Sequence, residues 1–174
     1  SGEETLTAGM EEKVLQVALA GQPNVGKSTL FNLLTGLNQH VGNWPGKTVE
    51  KKEGVWTYQG QTYTVVDLPG TYSLTAFSME EIIARDYIID AQPDAVVVVV
   101  DAANLERNLY LVVQIIEMEV PVIVALNMSD IAEAKGLNID VEQVAQGLKV
   151  PVVPTVARDR EGIDELGTAI ASTL

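Results

Sequence analysis

The segment Gly21-Gln22-Pro23-Asn24-Val25-Gly26-Lys27-Ser28 puts two glycines, a lysine and a hydroxyl at fixed spacing, and Thr29 follows it. The pattern is G-x-x-x-x-G-K-[ST], that of a phosphate-binding loop. Its glycines let backbone N–H groups turn inward around phosphate oxygens, and a helix starting at its end adds partial positive charge. Lys27 has the reach for β- and γ-phosphates, and the Ser28 hydroxyl suits Mg²⁺. Asp67-Leu68-Pro69-Gly70 stands about 40 residues downstream, at the end of an apolar run. Its carboxylate can hold Mg²⁺ through water, and the Gly70 N–H can approach a γ-phosphate because no side chain intervenes. Between them, Gly46-Lys47-Thr48 ends a polar loop. Thr48 can place its hydroxyl on Mg²⁺ and its N–H on the γ-phosphate. Such a loop is ordered by triphosphate and released by diphosphate.

Two further segments address a base. Asn127-Met128-Ser129-Asp130 follows the apolar run Val122 to Leu126. A carboxylate at Asp130 can accept both N1–H and N2–H of guanine, a pair that adenine does not offer, so the site discriminates strongly. Asn127 would brace the loop and face the purine, and Met128 can pack its thioether over a ring. Thr155-Val156-Ala157-Arg158 stands where the guanine O6 would be contacted. Val156 has no side-chain donor there, which leaves backbone N–H groups for the task and predicts weaker nucleotide retention.

The hydrolytic step has fewer candidates. Gly70 is followed by Thr71-Tyr72-Ser73-Leu74, with no glutamine to orient a water. Arg85, Arg107, Arg158 and Arg160 read as solvated surface residues. Intrinsic hydrolysis is therefore expected to be slow, or to need another cation. The Asn24 side-chain oxygen, with loop carbonyls from the region of Asn43 and Trp44, can hold a monovalent ion near the phosphates. The catalytic set is then Asn24, Lys27, Thr48 and Gly70. Trp44 itself reads equally as a partly buried anchor or as a gating or partner contact.

The elements that must position these residues follow from hydrophobic periodicity. Strands are expected at Val14–Ala20, Thr48–Tyr58, Thr62–Asp67, Ala95–Asp101, Val122–Asn127 and Val150–Val153. Helices are expected at Ser28–Leu37, Ser78–Asp90, Leu105–Glu119 and Val141–Leu148, with a closing helix marked by Ile163, Leu166 and Ile170. Ser78 with Glu81 forms a capping-box pattern, Asp140 is an N-cap, and Leu109, Val112, Val113 and Ile116 share one helix face. Asn38–Lys47 reads as a polar loop. Alternating strands and helices, with continuously apolar strands, predict an α/β fold. The expected sheet is mostly parallel and six-stranded, with one antiparallel edge strand and helices on both faces. Ligands in such sheets bind beyond the carboxyl ends of the strands, where every motif above falls.

Composition narrows the function. Eleven Lys and Arg against 24 Asp and Glu leave a net charge of −13. That disfavours sequence-independent nucleic-acid binding and docking on anionic lipid. With no cysteine and only His40, thiolate zinc sites and a Ser/His/Asp triad fall away. No apolar run reaches the ~20 residues of a membrane span. Residues 1–13 read as a flexible tail or an expression remnant, and 14–174 as a single nucleotide-binding domain, soluble and cytoplasmic.

Together the phosphate loop with its Pro23-Asn24, the segment Val41-Gly42-Asn43-Trp44-Pro45-Gly46-Lys47-Thr48-Val49-Glu50, then Asp67-Leu68-Pro69-Gly70-Thr71-Tyr72-Ser73-Leu74 and Asn127-Met128-Ser129-Asp130 resemble the G domain of the bacterial ferrous iron transport protein B family. The resemblance covers roughly Val14 to Leu174. It implies a Ras-like P-loop GTPase fold and Mg²⁺-dependent GTP hydrolysis to GDP, stimulated by potassium through Asn24. It also implies a cytoplasmic regulatory switch in a bacterial inner-membrane protein, whose permease portion is the partner. Met128 agrees with the family pattern, and Val156 departs from it. The competing readings are a soluble ribosome- or RNA-associated assembly GTPase, against which the acidic charge speaks, and a sensor of the GTP/GDP ratio in which hydrolysis is incidental.

Overall fold

The computed structural model describes residues 13–174, so the expected tail lies outside the described residues except for Lys13. Along the chain run β1 (Leu15–Gly21), α1 (Lys27–Thr35), β2 (Gln39–Asn43), β3 (Glu50–Tyr58), β4 (Gln61–Asp67) and α2 (Met79–Ala91). Next come β5 (Ala95–Asp101), α3 (Leu105–Glu117), β6 (Val122–Asn127), α4 (Ser129–Ala134), α5 (Val141–Leu148), β7 (Val152–Pro154) and α6 (Ile163–Thr173). The sheet order is β2-β3-β4-β1-β5-β6-β7. All neighbouring pairs are parallel except those made by β3, which runs against both β2 and β4.

The sheet thus has seven strands rather than the expected six, because Gln39–Asn43 of the polar loop pairs with β3. The antiparallel strand lies second from the edge. Nothing in the composition of Gln39–Asn43 marks a strand; its edge position, with one face of hydrogen bonds supplied by β3, is what orders it.

The two faces of the sheet bury alternate residues, as the period of two requires. In β5, Val96, Val98 and Val100 join one core, and Ala95, Val97 and Val99 join the other. β1 divides likewise, with Ala18 and Ala20 against Val17 and Leu19. Helices α2 and α3 cover the first face, whereas Leu30, Phe31 and Leu34 of α1 and Leu166 and Ile170 of α6 cover the second. Each fully buried aliphatic side chain is worth ~1.5–3 kcal/mol over leaving it in water, so these strands anchor the frame.

Helix α3 docks differently from its hydrophobic pattern. It buries Asn108, Leu111, Val112 and Ile115, and Val113 is exposed. Asn108 is buried with its Nδ2 donating to the Asn104 carbonyl at 2.8 Å and its Oδ1 accepting from the Asp101 N–H at 3.5 Å. The Asp140 cap forms as expected. At α2 the Ser78 Oγ accepts from the Glu81 N–H, but the Glu81 carboxylate returns to the Phe77 N–H rather than to Ser78.

Candidate functional site

The phosphate loop leaves β1 at its carboxyl end and enters α1 at Lys27. Both of its glycines are demanded by packing. A Cβ on Gly21 would lie 2.7 Å from the Val99 carbonyl oxygen. Gly26 has φ +89°, and a Cβ there would meet Asn127 Nδ2 at 2.2 Å. Asn24 also takes a left-handed φ of 66°, which asparagine tolerates better than most residues. Its side chain is exposed, as are Pro23, Ser28 and Thr29, whereas Val25 and Lys27 are buried.

Lys27 lies at the foot of this loop. Its ammonium donates to the Asp67 carboxylate and, at 2.6 Å, to the Leu68 carbonyl. Both side chains of the ion pair are only 10% exposed. The two motifs are therefore joined through their charged groups. They are joined through backbone as well: the Leu68 N–H donates to the Leu19 carbonyl and the Thr71 N–H to Gly21, 2.9 and 3.0 Å. Gly70 rests against Pro23, where a Cβ would sit 3.3 Å from its backbone. Thr71 is buried by this arrangement and Tyr72 is exposed.

Asn127 is the brace of the base end. Its Nδ2 donates to the Val25 carbonyl at 2.9 Å, and its Oδ1 accepts from Thr155 Oγ1 and the Ala157 N–H, each at 3.0 Å. One buried amide thus ties together the phosphate loop, the Asn127–Asp130 loop and the Thr155–Ala157 segment. Gly26, Thr29, Asn127, Met128, Asp130, Val156, Ala157 and Arg158 contribute to the walls of a cavity of about 230 Å³. Met128 takes a left-handed φ of 58° to open α4.

Two expectations about this end change. The Val156 N–H donates to the Glu161 carbonyl at 3.0 Å, and the Ala157 N–H is taken by Asn127. These two backbone donors, left for guanine O6 by the lack of a polar side chain at Val156, are already engaged. Arg158 is also more than solvated surface, since its Nη2 donates to Asp130 Oδ2 at 2.9 Å.

Gln22 was expected only as loop backbone. Its side chain is buried and donates to the Arg107 carbonyl at 2.7 Å, which fastens the phosphate loop to the start of α3. No sequence pattern marks this, because the acceptor is a main-chain oxygen 85 residues away.

The segment carrying Asn43, Gly46, Lys47 and Thr48 is arranged differently. Lys52 of β3 pairs with Asp67, the last residue of β4, so the β2–β3 connection projects past the carboxyl end of the sheet. This is the end from which the phosphate loop also rises. The connection closes on itself, with the Trp44 N–H donating to Val49 and the Lys47 N–H to the Trp44 carbonyl, both 2.9 Å. Asn43, Gly46, Lys47 and Thr48 are exposed, and these hydrogen bonds do not run to the phosphate loop. Trp44 is the anchor. It is buried in the same core as Val66, Leu68 and Ile83, and its ring meets Tyr87 edge-on at 5.7 Å, with Lys51 Nζ 4.8 Å from its centre. Burial, with Glu53 nearby, pushes the Tyr87 hydroxyl up to about 12 and keeps it neutral.

The donor set fits a hard divalent ion. Ser28 offers an exposed hydroxyl at the start of α1 and Asp67 a carboxylate already facing a cation, oxygen ligands of the kind Mg²⁺ takes together with phosphates. Among the described residues no group of three or more His, Asp or Glu is placed to hold a metal by itself. None of their helices is long and apolar enough to cross a membrane.

A mostly parallel sheet with a phosphate loop, a D-x-x-G turn bonded to it and an N-x-x-D loop braced by its asparagine defines a P-loop GTPase domain. The family described as ferrous iron transport protein B matches residues 15–170. The chain is 52% identical over 162 residues to the Fe(2+) transporter FeoB of Salmonella typhimurium, covering 91% of this chain and 21% of that protein. Among solved structures, the G domain of the T. maritima FeoB iron transporter is 49% identical, with a TM-score of 0.85, over 92% of this chain and 99% of that one. The cytosolic domain of the same transporter in its GMPPNP form is 50% identical, with a TM-score of 0.89, over 91% and 63%. The chain belongs to the ferrous iron transport protein B family and corresponds to its G domain. It spans about a fifth of the length of the curated relatives it matches.

Proposed function

We propose that this domain hydrolyses GTP to GDP and phosphate with Mg²⁺, is stimulated by potassium, and acts as the cytoplasmic regulatory switch of a bacterial inner-membrane ferrous iron transporter. The permease portion of the same polypeptide would be its partner. The observation that carries the reading is the Lys27 ammonium, held by Asp67 and the Leu68 carbonyl at the foot of the phosphate loop.

Incoming β- and γ-phosphates offer Lys27 stronger partners than one carboxylate. Lys27 turns to them, and Asp67 is released toward the metal side of the site. Bound Mg²⁺, held by Ser28, Thr48 and Asp67, would neutralise charge between the β- and γ-phosphates. Backbone N–H groups from Gly21 to Thr29 wrap the phosphates, and the Gly70 N–H turns to the γ-phosphate. Asp130 accepts the two guanine donors while Asn127 keeps the base and phosphate halves of the site in register.

No glutamine follows Gly70 to orient the attacking water, and the chain offers no arginine finger, so charge at the phosphates must come from elsewhere. Asn24 and the carbonyls of Asn43 and Trp44 are neutral oxygen ligands, of the kind that can replace the hydration shell of potassium. Potassium at Asn24 would stand where an arginine finger otherwise places its charge. This requires the β2–β3 connection to move toward the phosphates, which brings Gly46, Lys47 and Thr48 with it.

The test is steady-state GTP hydrolysis in potassium and in sodium, with ATP as control and Asn24→Ala alongside. Turnover that is GTP-only, faster in potassium and no longer so in Asn24→Ala is the expected result. Equal rates in both salts would remove the potassium role and favour a sensor of the nucleotide ratio.

A further inference from the structure

We propose that Arg158 competes with guanine for Asp130 and thereby sets how readily the base pocket accepts a nucleotide. This rests on the reading of Asp130 as the guanine acceptor. Guanine needs both oxygens of that carboxylate, one for N1–H and one for N2–H. In the structure Arg158 Nη2 donates to Oδ2 at 2.9 Å. Arg158 lines the same cavity as Asp130, Asn127 and Met128. The guanidinium is thus an internal stand-in for the base: it presents N–H donors to the acceptor that recognises guanine.

The surroundings make the exchange easy in both directions. Arg158 is 72% exposed, so its head can swing into water with little loss. Its Nε also lies 3.5 Å from Asp159 Oδ1, a neighbouring carboxylate that can keep the charge when Asp130 is given up. The Arg158 backbone is carried by the turn Ala157–Asp159, which is tied to Asn127 through the Ala157 N–H. The competitor therefore sits on the same brace that positions the acceptor, and the pair re-forms whenever the base leaves.

An exposed ion pair of this kind forms with an equilibrium constant of about 1.4 to 5, so competition weakens guanine binding by about 2- to 6-fold. On this proposal the guanidinium and guanine exclude each other at Asp130. The effect therefore falls on association, and dissociation of bound GDP is unchanged.

The test is stopped-flow association and dissociation of fluorescent GDP with the wild-type domain, Arg158→Ala and Arg158→Lys, at low and high salt. Arg158→Ala is expected to associate about 2- to 6-fold faster with an unchanged dissociation rate, and Arg158→Lys to lie between. The difference should shrink at high salt, where the exposed pair is screened in the wild type. Unchanged or weaker GDP binding in Arg158→Ala, or an effect confined to dissociation, would overturn the competition. Failure of the underlying reading looks different: the wild-type domain would bind GDP and ADP alike.

Discussion

The phosphate loop and the β2–β3 connection rise from the same end of the sheet, yet they are held in opposite ways. The phosphate loop is fastened from outside itself. Lys27 is gripped by Asp67 and Leu68, Val25 by Asn127, Gln22 by Arg107, and Gly21 by Thr71. The connection is anchored by Trp44, with Val49 packed against the same core, and its backbone hydrogen bonds run within itself and its own hairpin. On the proposed reading, the difference separates two requirements of a switch. A phosphate cradle must keep its N–H groups aimed whatever is bound, so many long-range bonds fix it. A sensing loop must have two positions of similar energy, so it can carry few.

The largest expected effect breaks the fixed region. Lys27→Ala removes two charge-assisted hydrogen bonds to phosphates and leaves Asp67 without its partner. Triphosphate affinity should fall on the order of 10³-fold by calorimetric titration. Near-unchanged affinity would show that the phosphates do not bind here.

Asn127→Ala tests whether one amide holds three segments together. It strands the Val25 carbonyl, the Thr155 hydroxyl and the Ala157 N–H in buried surroundings. We expect a stability loss of about 2–4 kcal/mol, a drop in melting temperature of about 5–10 °C. A shift below a degree or two would mean that water readily replaces the brace.

Thr48→Ala probes the β2–β3 connection. Its side chain is exposed and makes no stabilising contact in this arrangement, so melting temperature and GDP affinity should hardly change. GTP turnover should fall by about 10- to 100-fold if Thr48 reaches the metal and γ-phosphate in the bound state. Unchanged turnover would remove Thr48 from the mechanism.

Trp44→Phe gives the smallest and most diagnostic effect. Trp44 Nε1 is buried without a hydrogen-bond partner, so losing it removes no bond. Replacement by a smaller ring should cost under about 1.5 kcal/mol, whereas Trp44→Ala, which empties the site, should cost about 3–5 kcal/mol. Chemical denaturation separates the two, and equal losses would mean that the indole is not a packing anchor.

Much of the candidate site was legible because its logic is local. Gly21, Gly26, Lys27 and Ser28 must sit between a strand and a helix for backbone N–H groups to converge, and the apolar runs before Asp67 and Asn127 mark strand ends. The strands Ala95–Asp101 and Val122–Asn127 match expectation at both ends, since continuous burial on two faces leaves little ambiguity. The edge strand Gln39–Asn43 was not legible, because β3 rather than its own side chains makes it a strand. The face of α3 was misread for a similar reason: Asn108 looks like surface until the bonds to Asn104 and Asp101 are seen.

The sequence by itself determined the chemistry on offer: a lysine and hydroxyl for phosphates and metal, a carboxylate for guanine, and no glutamine or arginine finger for the water. These depend on residue type at short spacing, which the chain carries in one dimension. Only the tertiary structure decided the partners. Asn127 reaches Val25 across 102 residues, Gln22 reaches Arg107 across 85, and Arg158 reaches Asp130 across 28. Such bonds are set by how strands and helices stack, and buried amides and exposed guanidiniums find whichever donor or acceptor the packing brings near.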